Sequence, residues 1–160
     1  MSKLKKRTRV LTAFTFALLM SFVVASGVSA DAPAEKEPRA LTPPPPAEMS
    51  IMSLNPSNVY LTDASTSIRK SGSNIQISSN TYASRVVDSI GANIYLQRWT
   101  GSVWVDVESS FNKNTNSSSY YGTKTWQGVS GYYYRGKTVH WVKEGTKYEE
   151  VVTHSSTILM

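Results

Sequence analysis

The chain has no cysteine. No disulfide can staple the fold, no lipid can be attached to a cysteine behind the leader, and thiol chemistry and thiolate metal sites are closed to it. It has two histidines, His140 and His154, with no third ligand at convincing spacing for a metal. No proline follows Pro56, so nothing in the last 104 residues removes a donor from a sheet interior. The N-terminal apolar run, "VLTAFTFALLMSFVV", has fifteen residues, short of the ~20 that a membrane-spanning helix needs. There is no G-x-S-x-G turn, EF-hand loop, phosphate-cradling glycine loop or nucleotide fingerprint.

What precedes and follows that run reads as an export signal. Lys3, Lys5, Lys6, Arg7 and Arg9 lie ahead of it, and "ASGVSA" closes it with Val28 and Ala30 in an A-x-A-like pattern. Residues 1–30 are therefore expected to be a signal peptide cut after Ala30, giving a secreted protein with no stable membrane insertion after cleavage. The final "SSTILM" offers neither a second span nor a wall-sorting signal, so release in soluble form is the expectation. The leader also distorts the charge. The whole chain carries 17 Lys and Arg against 11 Asp and Glu, for +6. Five of the basic residues and no acidic ones fall in residues 1–30, which leaves 12 against 11 in the remainder. A basic balance would suggest nucleic acid; here it comes from the leader, and no nucleic-acid partner is expected.

All seven prolines lie in residues 31–56, four of them consecutive from Pro43 to Pro46. Such a run favours polyproline II and supplies no backbone donors. Residues 31–56 read as a disordered or semi-rigid linker. "IMSLNP" (51–56) stays open, since Ile51, Met52 and Leu54 have the character of a first edge strand. On this reading, trimming to Met49 is neutral, while trimming to Ser57 costs stability only if those side chains are buried.

Residues 57–160 are rich in Tyr, Trp, Thr, Ser, Val and Ile, in short runs between Gly, Asn and Ser clusters. This pattern predicts an all-β domain, an immunoglobulin-like antiparallel sandwich of seven or eight strands. "SGS" (71–73), "TGS" (100–102) and "EGT" (144–146) are the hairpin turns. "ASRVVDSIG" (83–91) is read as one helical turn, and "FNKNTNSSSY" (111–120) as a polar crossing between sheets.

Alternation in "ANIYLQRW" points Ile94 and Leu96 to the core and Tyr95, Gln97 and Trp99 to the other face. Beyond the turn, a bulge would turn Trp104 and Val107 inward. Trp104 is thus expected inside and Trp99 partly exposed. Tyr134 is the candidate for a tyrosine that ties a corner through its hydroxyl. Gly136, on the same face, would leave room for Trp104 or Trp126.

"IYLQRWTGSVWVDV", "GYYYRGKTVHWV" and "EEVVTHSSTI" together resemble a family of small secreted single-domain proteins of Gram-positive bacteria, with an LQ…W…GxxYR…H…E pattern. Leu96, Gln97, Trp104, Gly131, Tyr134, Arg135, His140 and Glu150 occupy its places. The resemblance spans about residues 65–159 and implies a β-sandwich and an extracellular compartment. It implies no activity and no catalytic or binding residue.

Four tryptophans and nine tyrosines are the functional hint, since exposed aromatics suit sugar faces and protein hot spots. The expected function is a non-enzymatic binding or structural module outside the cell, with Trp99, Tyr95, Tyr133 and Trp141 as binding candidates. Its partner would be an extracellular protein, a cell-wall glycan or another copy. No catalytic residue, metal or cofactor is expected. One alternative is a hydrolase-like enzyme gathering His140, Glu149, Glu150 and His154 across the "KEGT" turn. Asp106 and Glu108, ~6.8 Å apart along one strand, fall within the spacing of a glycosidase pair but read more simply as solvated charge. A second alternative is a bacteriocin-like antagonist of competitors' envelopes.

Overall fold

Two positive-φ glycines set the hairpins from which the sheet is built. Gly72 (φ 58) and Gly145 (φ 57) each open a two-residue turn, closed by the pairs Ser71–Asn74 and Glu144–Lys147. A glycine at the first central position matches the strand twist there. In the computed structural model, which describes residues 39–47 and 54–160, the elements are β1 (Leu61–Ser71), β2 (Asn74–Trp99), β3 (Trp104–Gln127), β4 (Tyr133–Glu144), β5 (Lys147–His154) and β6 (Ile158–Leu159). Strand accounts for 72% of the described residues and none of them is helical. The proposed leader, its cleavage site at Ala30 and residues 51–53 lie outside the described residues.

The six strands make one antiparallel sheet, curled into a half-barrel. β2 and β3 pair along almost their whole length as a long bent hairpin. The first half of β2 takes β1 on its other side and the second half takes β4, which carries β5 and β6. β3 pairs only with β2, so its outer edge is open among the described residues.

The bend is made where Tyr82 pairs with Ser119 and Val87 with Ser117. Four residues of β2 there oppose one of β3, a large bulge that turns the strand. On β3, Asn116 accepts φ 49, a left-handed conformation that asparagine tolerates. The helical turn expected over 83–91 is therefore strand and corner, and the polar crossing expected over 111–120 is strand. Both β2 and β3 run through the gaps that composition suggested, so six strands, two of them 26 and 24 residues long, stand in place of seven or eight.

The bend brings two arms face to face. The first holds β1 with the near half of β2; the second holds the far half of β2 with β4 and β5. Ile75, Ile77, Ile90, Ile94, Leu96 and Val142 fill the space between and are almost wholly buried. At ~1.5–3 kcal/mol for each large apolar side chain, this seam is the main source of stability in a fold without disulfides. Gly136 serves it: an added Cβ would lie 3.1 Å from both Ile77 and Thr66, so the glycine accommodates the opposite arm and not Trp104 or Trp126. Tyr134 is buried and its hydroxyl accepts the Val129 N–H at 3.1 Å, the corner tie expected of it.

Candidate binding face

β4 alternates without interruption, and its two faces differ in chemistry. Inward, His140 is fully buried. Its Nδ1 hydrogen-bonds with the Thr81 hydroxyl at 2.8 Å, and its Nε2 with those of Thr153 at 2.8 Å and Thr66 at 3.2 Å. These threonines come from β2, β5 and β1, so one imidazole joins both arms. Burial pushes its pKa from 6.5 down to about 4, against a weaker opposing pull from Asp63, and it stays neutral at ordinary pH.

Glu149 also points inward. Its carboxylate accepts the backbone N–H groups of Val59, Tyr60 and Leu61, each at 2.8 Å, with Lys147 Nζ at 3.4 Å. Burial alone would raise its pKa; the N–H groups of Leu61, Val59 and Tyr60, helped by Lys147, outweigh that and hold it below the ordinary value. The carboxylate fastens the chain entering β1 to β5.

The expected meeting of His140 with Glu149 or Glu150 does not occur. The turn is centred on Gly145–Thr146, one position later than assumed, so His140 pairs with Val151, Trp141 with Glu150 and Val142 with Glu149. His140 and Glu149 belong to the interior, while Glu150 and His154 belong to the other side of the sheet. His140 and Glu149 thus share the inner face, but each is held by its own partners, the threonine hydroxyls for one and the backbone of 59–61 for the other. Among the described residues, no group of three or more His, Asp or Glu side chains is arranged to hold a metal.

Outward, the second arm is aromatic. Trp141 stacks on Tyr148 of β5 at 6.0 Å, and its indole N–H donates to Asn93 Oδ1 at 3.3 Å. Tyr95 meets Phe111 of β3 edge-on at 5.9 Å, with Lys137 Nζ 4.4 Å from the Tyr95 ring centre. Trp99 and Trp104 tilt together at 5.3 Å, with the Arg135 guanidinium 4.5 Å from the Trp104 ring. Between these rings runs a polar ladder. Arg135 donates to Gln97 Oε1, Gln97 donates to Asp106 Oδ1, and Lys137 bonds Asp106 Oδ2 at 2.7 Å.

All four sequence candidates, Trp99, Tyr95, Tyr133 and Trp141, therefore share this face, but they are not equally accessible. Trp99 is 6% exposed, whereas Trp104 is half-buried, the reverse of expectation. The bulge beside Trp104 does exist, between the pairs Leu96–Glu108 and Gln97–Asp106, but it leaves Val107 at the surface. Tyr133 and Trp141 lie eight residues apart on one strand, ~27 Å at ~3.4 Å per residue, so they cannot serve one small ligand. On the second arm the rings Phe111 (59%) and Tyr148 (52%) are well exposed, and sequence reasoning passed over both. Phe111 stood alone in a stretch read as a crossing; as strand, its pairing with Asn93 places it beside Tyr95.

Asp106 and Glu108 line an open hollow of about 270 Å³ with Tyr95, Val107 and Ser109. Slight burial would raise the Asp106 pKa, but the Lys137 and Gln97 hydrogen bonds and the nearby charges lower it. A carboxyl held ionised is the opposite of what a general acid at this pair would need.

Trp99 owes its burial to the N-terminal segment. Its indole N–H donates to the Pro43 carbonyl at 3.1 Å, Leu41 N–H donates to the Gly131 carbonyl at 2.8 Å, and Thr42 and Pro43 lie against Gly101. Gly131 (φ 86) has no room for a side chain: an added Cβ would meet Leu41 at 2.7 Å. Residues 39–47, expected to be part of a disordered linker, are a strap laid on the sheet. Leu54 packs against the core without forming the suggested edge strand.

Comparison with protein-family models, with curated proteins and with solved structures finds no match for this chain.

Proposed function

We propose that the protein is a non-enzymatic extracellular binding module, whose outer face on β2–β5 engages a protein or a cell-wall glycan. One observation carries the reading: Phe111, Tyr95, Trp141 and Tyr148 form two ring pairs on one side of the sheet, flanking a ladder of charged and amide groups. Rings supply area at low entropic cost and the ladder supplies orientation, a combination that suits sugar faces and protein hot spots. The separation of His140 from Glu150 and His154 on opposite faces of the sheet weighs against the hydrolase reading. Export and cleavage after Ala30 rest on the leader pattern, and kinship with the small secreted family rests on the LQ…W…GxxYR…H…E spacing. The immunoglobulin-like reading finds support in the two facing arms: counted as half-strands on either side of the corner, β2 and β3 bring the total from six to eight.

A pull-down with cell-envelope fractions and a glycan array, using the secreted chain, tests the proposal. Phe111→Ala with Tyr148→Ala is expected to abolish capture while leaving the thermal melt nearly unchanged. Undiminished capture by the folded double variant would remove the face from the site. Turnover of a glycan or ester lost on Glu150→Gln would replace the reading with the enzymatic one.

A further inference from the structure

The strap lies at the far end of the second arm from the Trp141–Tyr148 pair, and its chemistry is specific. Four consecutive prolines offer backbone carbonyls and rings but no N–H. A surface that recognises them must supply donors and flat apolar walls, as proline-recognition grooves do. The surface beneath the strap has this composition. Trp99 donates its indole N–H to Pro43. Beyond Pro43, a groove of about 410 Å³ runs between Pro44–Pro46 on one side and Tyr133, Ser156, Thr157 and Leu159 on the other. Three of those four facing side chains carry a hydroxyl, and Tyr133 and Leu159 are held side by side by the β4–β6 pairing.

The strap fills this surface incompletely. It is fastened at Leu41 and Pro43, while Pro44 and Pro46 remain exposed and the groove beside them stays open. Few buried contacts hold the proline run itself, which marks a segment of low local stability.

We propose that the Trp99–Tyr133 groove is a polyproline-II recognition site, occupied in the resting chain by its own Pro43–Pro46 and open to a proline-rich segment of another protein. The strap then acts as a resident competitor. Because a tethered ligand has a high effective concentration, a free proline-rich peptide binds the native chain weakly and binds strongly once the strap is weakened.

The probe is the acetylated, amidated peptide ALTPPPPA, the sequence of residues 40–47, titrated into the full secreted chain by calorimetry and, wherever Trp99 is present, followed also through its indole N–H resonance. A second chain carries Pro44→Ser, Pro45→Ser and Pro46→Ser. The apparent Kd is expected to fall by about tenfold or more in the triple variant, in line with removal of a tethered competitor. Adding Trp99→Phe, which keeps a ring but removes the donor, is expected to weaken binding again by about tenfold, the loss of one well-made hydrogen bond. A peptide with its four prolines replaced by serine should not bind. Should the triple variant fail to fold, the native chain decides: at millimolar peptide its Trp99 resonance must move. In the same native background, Trp99→Phe must also speed trypsin cleavage after Arg39 severalfold. No movement at Trp99, equal response to the serine peptide, or unchanged cleavage overturns the proposal. Concentration-dependent dimers abolished by Trp99→Phe would instead make the strap of a second copy the occupant, and overturn the foreign partner.

Discussion

The two sides of β4 are built from alternate residues of one twelve-residue strand, and they respond to water in opposite ways. The inner side presents Tyr134, Gly136, Thr138, His140 and Val142, all buried; the outer side presents Tyr133, Arg135, Lys137, Val139 and Trp141, mostly half-buried. Inside, His140 is kept neutral among three hydroxyls and Glu149 is saturated by donors, because an unpaired charge in low dielectric is costly, while the smaller Thr138 hydroxyl is buried without a partner among the described residues. Outside, Arg135 and Lys137 rest on rings, and Asp106 is held, against slight burial, below its ordinary pKa by the hydrogen bonds of Lys137 and Gln97. The inner side holds the arms together and has no access to a ligand. The outer side is half-buried at Tyr133, Lys137, Val139 and Trp141 and buried at Arg135.

The largest effect that would test this contrast is at Glu149. Glu149→Ala leaves three backbone N–H groups of 59–61 without their acceptor and is expected to cost ~3–4 kcal/mol. Glu149→Gln, which keeps one acceptor oxygen, should recover part of it. Urea melts of both variants measure this, and a loss under ~1 kcal/mol would show that the carboxylate is not the fastening between β1 and β5.

Acid should find the same seam. His140 has a folded pKa of about 4 against 6.5 when free, so between those values the unfolded chain takes up a proton that the fold refuses. Stability is full above pH 6.5 and falls as the pH drops towards 4, by ~3 kcal/mol at 1.36 kcal/mol per pH unit. Glu149, whose folded pKa is depressed, adds a second loss only as the pH falls below 4.5 and through its folded value. His140→Gln should be less stable at neutral pH but flat between pH 6.5 and 4.5; an unaltered slope would place the titrating group elsewhere.

On the outer side, Gly91 lets Trp141 lie flat on the sheet. An added Cβ there would be 2.5 Å from the Asn112 carbonyl and 2.8 Å from the Trp141 ring. Gly91→Ala is expected to cost ~1–3 kcal/mol through backbone displacement and to disturb the Trp141–Tyr148 stack, readable in near-ultraviolet circular dichroism. An unchanged spectrum would mean that the ring does not depend on the glycine.

The smallest effect concerns the strap. A chain begun at Met49 loses the Trp99–Pro43 and Leu41–Gly131 hydrogen bonds and exposes an indole. It is expected to melt lower by ~1–2 kcal/mol of stability, where a true linker would cost nothing. Equal melts would return residues 39–47 to the status of a tail.

Much of this was legible from the sequence, and the misreadings have physical causes. Strand runs, the turns at Gly72 and Gly145, the inward pair Ile94 and Leu96, and the Tyr134 tie all follow from alternation and glycine placement, which are local. The outcome at Trp99 was not local: its facing was read correctly, but its burial depends on a carbonyl 56 residues earlier. Residues 111–120 misled because their composition is mostly polar and small, and residues 83–91 because Val86, Val87 and Ile90 are spaced as on a helical turn; the ladder holds both in strand, and the bend they contain is a tertiary demand. The His140 neighbourhood was missed because two of its partners, Thr81 and Thr66, lie 59 and 74 residues earlier on β2 and β1, and only the bend brings them to it.

β3 offers a last consequence. A 24-residue strand open along one edge among the described residues is a template on which another chain could add itself, the first step of aggregation. This edge is poorly suited to that. Its middle, "ESSFNKNTNSSS" (108–119), has a single large apolar residue, two side-chain amides flank Lys113, and Asn116 breaks the rail into two short lengths at the corner. The dull composition that hid this strand from sequence reading also makes its edge a poorer template than a rail of valine or isoleucine would be.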